Sequence, residues 1–430
     1  MRDAMGMEIP SPLEVAATPK RPIGVFHPGT QHSWQTARAL QDAADLGWYA
    51  TSIFWMKDRF PYSFVPLLPN GLRRHIEAEL RRFHHPGLDP RLVKTHNGSE
   101  WAMRIAARAR LRSLAAWFHA RSNSGFARPV GRLLAREPVR AVWGYDLSSL
   151  EVFRAAKDAG VKTILDRTIG HPATYNRVME PVYADYPSFF LSPEWRIGQA
   201  VIDRADAEHA LADLILVGSA YCAATLQDPA NVPVDSTKVT VLPYCFDDMF
   251  FPPARPAPSH HHRPIRFLFT GLAGPRKGIH LLLNVFARIP KSAATLTILG
   301  ELQIPSETFA RFADRVEHHA TVARPDVARF MSEADCLIFP SYFEGAGLVL
   351  YEALAMGLGI IQSRNAAVVL PDDSPLLMNA LGEEDLMRCV MTVIENPLVL
   401  QQQRAAAVMS VPYYTYGAYR ARVAEIASRV

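Results

Sequence analysis

Short apolar runs alternate with amphipathic stretches along most of the chain. IGVF at 23–26 is followed by a helical pattern over 33–46 and by WYATSIFW at 48–55. The period of the apolar positions changes from 2 to 3.6 and back, which predicts strand, helix, strand. Then come VRAVWGYD (139–146), a helix over 148–159, VKTILDR (161–167), one long helix ending near Leu211, ADLILVGS (212–219) and KVTVLPY (238–244). These runs are rich in Val, Ile and Leu, as strands covered on both faces of a parallel sheet require. Over 252–264 the pattern stops. PPARPAPSHHHRP holds five prolines and no apolar period, so a stiff connector is expected.

Beyond it the alternation resumes with IRFLFTG (265–271), a helix over 278–289, ATLTILG (294–300), a helix from about 306 and a short strand near Val316. A helix over 325–333, CLIFPS (336–341), a helix from about 347 and GIIQS (359–363) complete it. The chain therefore divides into a flexible tail (1–20), a first Rossmann-like domain (21–251), a Pro/His-rich linker (252–264), a second Rossmann-like domain (265–410) and a terminal helix (411–430) able to pack back on the first domain. The expected class is α/β, two parallel-sheet domains facing across a cleft, with ligands bound at the carboxyl ends of the strands.

A length of 430 residues with 49% hydrophobic positions suits two domains. Lys and Arg number 46 against 42 Asp and Glu, a balance too even for a nucleic-acid partner. The charge is nevertheless uneven: residues 71–140 hold 15 basic and 5 acidic positions. Within them, Met103, Ala107, Leu111, Leu114 and Phe118 form one helical stripe beside Arg104, Arg108 and Arg112. Such a basic amphipathic helix over 99–121 suits packing on its own domain, or an anionic membrane surface. Four scattered cysteines carry no disulfide or zinc spacing. The first residues lack an apolar stretch of signal-peptide length, and no apolar run spans a membrane, so a cytoplasmic protein is expected, able to work at the inner face of the cell membrane.

Two segments carry candidate chemistry. In PSYFEGAGLVLYEALAMG (340–357) a buried strand runs through a glycine-containing turn into a helix. The unpaired N–H groups of Gly345, Ala346, Gly347 and Leu348 and the positive end of the helix dipole make an anion site there. Glu344 and Glu352 bracket it, and a carboxylate is a good acceptor for vicinal ribose hydroxyls. In TGLAGPRKGIHLLLNVF (270–286) Gly271 ends a strand and Arg276 and Lys277 stand at a helix start, where two cations are unfavourable unless an anion lies between them.

Together these residues resemble the retaining glycosyltransferases of family 4, which have the GT-B fold. The resemblance covers roughly 200–410 well and the N-terminal domain weakly. The family's E-G-F-G-L-x-x-x-E is matched by Glu344, Gly345, Gly347, Leu348 and Glu352, with Ala346 in place of the aromatic residue. Arg276-Lys277-Gly278 is similar to the family's R-K-G variant, with Leu272 at the usual arginine position, and AEHALADLILVGSAY (207–221) is similar to the segment leading to its linker. The resemblance implies Glu344 near the donor sugar, Glu352 on the ribose, and Arg276 and Lys277 neutralising the departing diphosphate. It also implies acceptor binding by the N-terminal domain, and a histidine near the acceptor for which His171 is the candidate. Gly29 alone represents the family's paired glycines after the first strand, and residues 244–247 depart from its N-G-V-D.

The expected activity is retaining transfer of a hexose from a nucleotide-diphosphate sugar to a saccharide or lipid-linked saccharide, in polysaccharide or glycolipid biosynthesis. No metal or other cofactor is expected, because fixed dipoles and cations can carry the leaving-group charge. Two alternatives share the fold: a catalytically weak subunit that binds a nucleotide sugar or saccharide, and a sugar-nucleotide epimerase.

Overall fold

The computed structural model describes residues 21–29, 32–59, 62–80, 83, 85, 87–95, 126–252 and 263–430. The expected tail, nearly all of the proline-rich linker and the basic helix over 99–121 lie outside them.

Strands β1 (Ile23–His27), β2 (Leu46–Thr51), β3 (Val93–Thr95), β4 (Ala141–Tyr145), β5 (Lys162–Arg167), β6 (Leu214–Val217) and β7 (Val239–Val241) form one sheet in the order 3-2-1-4-5-6-7. Strands β8 (Ile265–Thr270), β9 (Ala294–Leu299), β10 (Glu317–His319), β11 (Cys336–Phe339) and β12 (Gly359–Gln362) form a second, in the order 10-9-8-11-12. Every pairing between neighbouring strands is parallel. Parallel neighbours need crossover helices that cover both faces, which is why β1, β4, β11 and β12 are buried at every residue. The expectation of two Rossmann-like units is thus met. In each sheet the strand order reverses next to the first strand, at β1/β4 and at β8/β11, and such reversals open a crevice beyond the strand ends.

The helices that frame the crevice are α1 (Ser33–Asp42), α2 (Leu150–Asp158), α3 (Pro172–Asp185), α4 (Gln199–Leu211), α5 (Ala220–Thr225), α6 (Ile279–Ala287), α7 (Arg324–Glu333) and α8 (Leu348–Ala355). Sequence periodicity predicts one long helix ending near Leu211, but the structure has two, α3 and α4, separated by residues 186–198. Pro187 removes a backbone donor just past α3, and the freed segment crosses to the second sheet. There Phe189 joins the core cluster of Phe267, Leu282 and Ile338, Tyr186 donates to Glu383 at 3.2 Å and the Thr308 hydroxyl donates to the Ser188 carbonyl at 2.6 Å.

Three elements complete the chain: α9 (Glu383–Glu395), α10 (Pro397–Ser410) and α11 (Tyr416–Ser428). Helix α11 lies on α1 of the first sheet: Tyr419 and Thr36 share a hydrogen bond of 2.7 Å, Tyr416 donates to Asp42 at 2.9 Å, and Arg140 donates to the Ala427 carbonyl at 2.9 Å. Strand β3, only three residues long, has no counterpart in the sequence pattern. Among the described residues, no helix is long and apolar enough to cross a membrane.

Candidate active site

A cavity of about 540 Å³ opens between the two sheets, at the carboxyl ends of their strands. The turn after β8 supplies Thr270, Gly271 and Lys277, and the turn after β11 supplies Glu344, Ala346, Gly347 and Leu348. His32, Trp34 and Gln35 enter from the start of α1, Thr168 from beyond β5, and Tyr244, Cys245, Asp247 and Phe251 from the chain crossing between the sheets.

Gly347 takes φ 85°, a left-handed conformation that lets the chain leave the turn and start α8. The helix opens with Leu348, so its first N–H groups face the cavity with no capping side chain. Arg276 and Lys277 lie one step before α6, in a 3₁₀ turn over Pro275–Lys277. Gly278 follows at φ 73°, against the Pro340 carbonyl, where a β-carbon would collide. The two basic side chains are thereby aimed across at the other turn. Arg276 donates to Glu344 at 2.7 Å and to the Phe343 carbonyl at 2.7 Å, and the Lys277 ammonium lies 3.0 Å from the same Glu344 oxygen.

Burial works to raise the pKa of Glu344, but Lys277 and Arg276 outweigh it and hold the carboxyl below its ordinary range. Lys277 is pushed down, by burial first and Arg276 second, against the pull of Glu344. The site thus concentrates two cations around one buried carboxylate beside an open helix start. At the opposite end Glu352, 8% exposed, projects from α8 and is bound by Arg324 of α7. Burial raises its carboxyl pKa, and Arg324 opposes the rise.

Of the residues singled out in the sequence, Gly271, Lys277, Glu344, Ala346, Gly347, Leu348 and Glu352 line this one cavity. Arg276 reaches the same carboxylate but faces two adjoining cavities. Gly345 lies behind the turn, where Ser219 donates to its carbonyl. Ala346 is 2% exposed, and a β-carbon on Gly218 would come within 2.7 Å of its methyl group, so a ring at 346 has no room there. Gly29 donates its N–H to His27 at 3.0 Å and is not among the lining residues.

His171 is fully buried at the start of α3, away from the cavity. Its Nδ1 accepts from the Ala173 N–H at 3.2 Å as the helix cap, and its Nε2 meets Asp206 at 2.9 Å. Burial and Arg167 lower its pKa. His171, Asp206 and His209 bring ligand-type atoms within 4.8 Å of one another. Both nitrogens of His171 are already engaged and the Arg167 guanidinium lies 3.3 Å from His209 Nε2, which leaves His209 Nδ1 as the ring nitrogen of this group without a hydrogen-bond partner among the described residues.

The cavity adds side chains that no motif marks. His32 has Nε2 3.6 Å from buried Asp166, which also accepts from Trp143 at 3.2 Å and Tyr244 at 3.1 Å. Arg324 and Asp247 join Glu352. Periodicity places such residues near strand ends, yet their convergence depends on how the two sheets face each other.

Known proteins share parts of this arrangement. Residues 264–396 match the family described as Glycosyl transferases group 1. That span holds the turns after β8 and β11 and all of the second sheet. A D-inositol 3-phosphate glycosyltransferase from Arthrobacter sp. (strain FB24) is 33% identical over 108 residues, 23% of this chain and 26% of the relative. The MMP alpha-(1->4)-mannosyltransferase of Mycolicibacterium hassiacum is 25% identical over 283 residues, 61% of this chain and 66% of the relative. The matches therefore span from about a quarter to just under two thirds of these curated relatives. Among solved structures, Anabaena HepE in complex with UDP superposes with a TM-score of 0.59 at 13% identity, over 95% of this chain and 100% of its own. The fold is GT-B.

Proposed function

We propose that this chain transfers a hexose from a nucleoside-diphosphate sugar to a saccharide or lipid-linked saccharide, with retention of configuration and without a metal ion. The observation that carries the reading is the arrangement around Glu344: Arg276 and Lys277 at 2.7 and 3.0 Å, with an uncapped helix start beside them and Glu352 at the far end of one cavity. A diphosphate beside Lys277 and the first N–H groups of α8 would have its charge met by fixed donors as the bond to the sugar breaks. Glu352 would take the ribose hydroxyls, and Glu344 the hydroxyls of the sugar. For retention, the acceptor oxygen attacks the anomeric carbon on the face the diphosphate leaves, and the departing phosphate oxygen takes the acceptor proton.

The surroundings of Arg276 support a saccharide acceptor. Cavities of about 290 and 340 Å³ share Tyr175, Trp195 and Arg276, and the second is also lined by Phe190 and exposed Leu191. Aromatic faces beside a cation suit the apolar face and hydroxyls of a sugar ring. The relatives named for inositol phosphate and mannosyl transfer fit the same reading. Contact of the basic region 71–140 with an anionic membrane belongs to this proposal, and sedimentation with anionic vesicles at low salt tests it.

The deciding experiment is a thermal-shift series with uridine, guanosine and adenosine diphosphates and their hexose conjugates in the presence of a chelator. One base should raise the midpoint, and Glu352→Gln should abolish the rise. NMR of the released sugar or product then gives the anomeric configuration. Absence of a shift with any nucleotide overturns the reading.

A further inference from the structure

Arg324 occupies the first position of α7, where a cation opposes the helix dipole and does the helix no service. Its side chain is half exposed, yet its guanidinium reaches into the cavity to bind one oxygen of Glu352 and lies 5.6 Å from the centre of the Phe251 ring. The other Glu352 oxygen has no protein hydrogen bond among the described residues, in a cavity also lined by Tyr244, Asp247 and Val327.

We propose that Arg324 is a positioning residue for the nucleotide ribose: it grips one oxygen of Glu352 and presents the other to the vicinal hydroxyls. This rests on the nucleotide-sugar reading of the site. A carboxylate this buried tends to take up a proton, and a neutral acid is a weaker acceptor than an anion. Arg324 counters that tendency, while Asp247, facing Glu352 from the crossing chain, adds to it. Asp247 is itself raised by burial, opposed by Arg324 and Arg38 and reinforced by Asp248. Arg324 therefore supplies the charge that opposes protonation of Glu352 and the hydrogen bond that fixes its orientation.

The test measures, by calorimetry, the affinity of UDP, GDP and ADP, then the 2′-deoxy and 3′-deoxy forms of whichever binds. Arg324→Met should weaken the ribonucleotide on the order of tenfold. It should change the deoxy forms much less, so that the preference for ribose collapses. The loss should be larger at pH 6 than at pH 8.5, because Glu352 without its cation binds a proton more readily. Arg324→Lys should restore part of the affinity, and Arg324→Met added to Glu352→Gln should cost nothing further. In turnover the change should fall on the donor KM and leave kcat unaltered. If the Arg324→Met protein cannot be isolated folded, Arg324→Gln carries the same comparison. Equal affinity and equal ribose preference in wild type and variant at both pH values overturn the assignment and reduce the pair to a structural ion pair. Failure of the wild type to bind any of the three nucleotides removes the functional reading and this inference with it.

Discussion

Gly345 packs on Thr168 so closely that a β-carbon on the glycine would overlap the Thr168 carbonyl oxygen and press on Ile169. The turn after β11 of the second sheet thus docks, backbone to backbone, on the loop after β5 of the first. Ser219 holds it by donating to the Gly345 carbonyl, and Phe343 fills the space over Gly170. A glycine at 345 sets the spacing of the two sheets at the cavity, and φ there lies outside the left-handed range, so the demand is for space alone.

Gly345→Ala should therefore force the turn off Thr168. Overpacking of this kind costs about 1–3 kcal/mol. The displacement also moves Glu344 and the start of α8, so sugar transfer should fall about 100-fold, since misplacement of 1 Å at a reacting centre costs that much. A melting curve and a turnover assay on one preparation separate the two effects. Wild-type turnover would show that the sheets need not meet at this point.

Glu344 takes charge from both Arg276 and Lys277, and its removal and theirs should differ in sign for diphosphate binding. Glu344→Gln leaves the two cations without their buried counter-charge, so UDP or its equivalent should bind as tightly as in wild type or more so. Turnover should nevertheless drop, because the group proposed to hold the sugar has lost its charge. Lys277→Met should weaken diphosphate binding and lower kcat by about 100- to 1000-fold, the usual cost of one transition-state donor. Parallel loss of affinity in both variants would contradict this division of roles.

Much of this was legible in the chain. The apolar runs at 23, 141, 162, 214, 265, 294, 336 and 359 each became a strand with at least half of its residues buried, because parallel strands covered on both faces leave a Val, Ile and Leu signal. The two turns that face each other could be read because each puts glycine and a charged side chain at the junction of an apolar strand run and a helical pattern. What could not be read depends on distant residues. Pro187 ends α3 in a way periodicity does not show, since the helical pattern of 199–211 resumes beyond it. His171 looks like a site histidine by its place after β5, yet its ring is consumed by capping α3 and pairing Asp206. His32 stands more than 100 residues from Asp166, and Arg324 lies on a separate helix from Glu352, so only the facing of elements brings each pair together.

Trp195 belongs to the segment between α3 and α4 and shares both small cavities with Tyr175 and Arg276. Its ring also carries Arg196 at 5.1 Å from its centre. Trp195→Ala should raise the acceptor KM up to about tenfold, as loss of one aromatic contact worth about 0.5–1.5 kcal/mol implies. Nucleotide affinity should stay as it is, since Trp195 does not line the cavity that holds Glu344 and Glu352. Equal acceptor KM in wild type and variant would place the acceptor elsewhere.

His280 gives the fold an acid limit. Its ring is fully buried in α6, its Nε2 is 3.2 Å from the Tyr342 hydroxyl, and Tyr186 and Phe189 from the crossing segment pack on it. Burial pushes its pKa down to about 3, and burial likewise lowers His27, on β1, to about 4. Both groups are held neutral in the folded chain and ionise near 6.5 when it unfolds. Between those values the unfolded chain binds more protons, so stability rises with pH up to about 6.5 and is lost as pH falls toward 4 and then 3. At pH 5 each such histidine costs about 2 kcal/mol relative to pH 8. His280→Phe gives up the bond to Tyr342, about 1 kcal/mol at pH 7.5, but removes one of the histidines whose burial makes the fold acid-sensitive. Denaturant titrations at pH 7.5 and pH 5 should then show a smaller acid loss in the variant by about 2 kcal/mol, and an identical loss in both proteins would mean that His280 already carries its proton in the folded state or escapes burial before the chain unfolds.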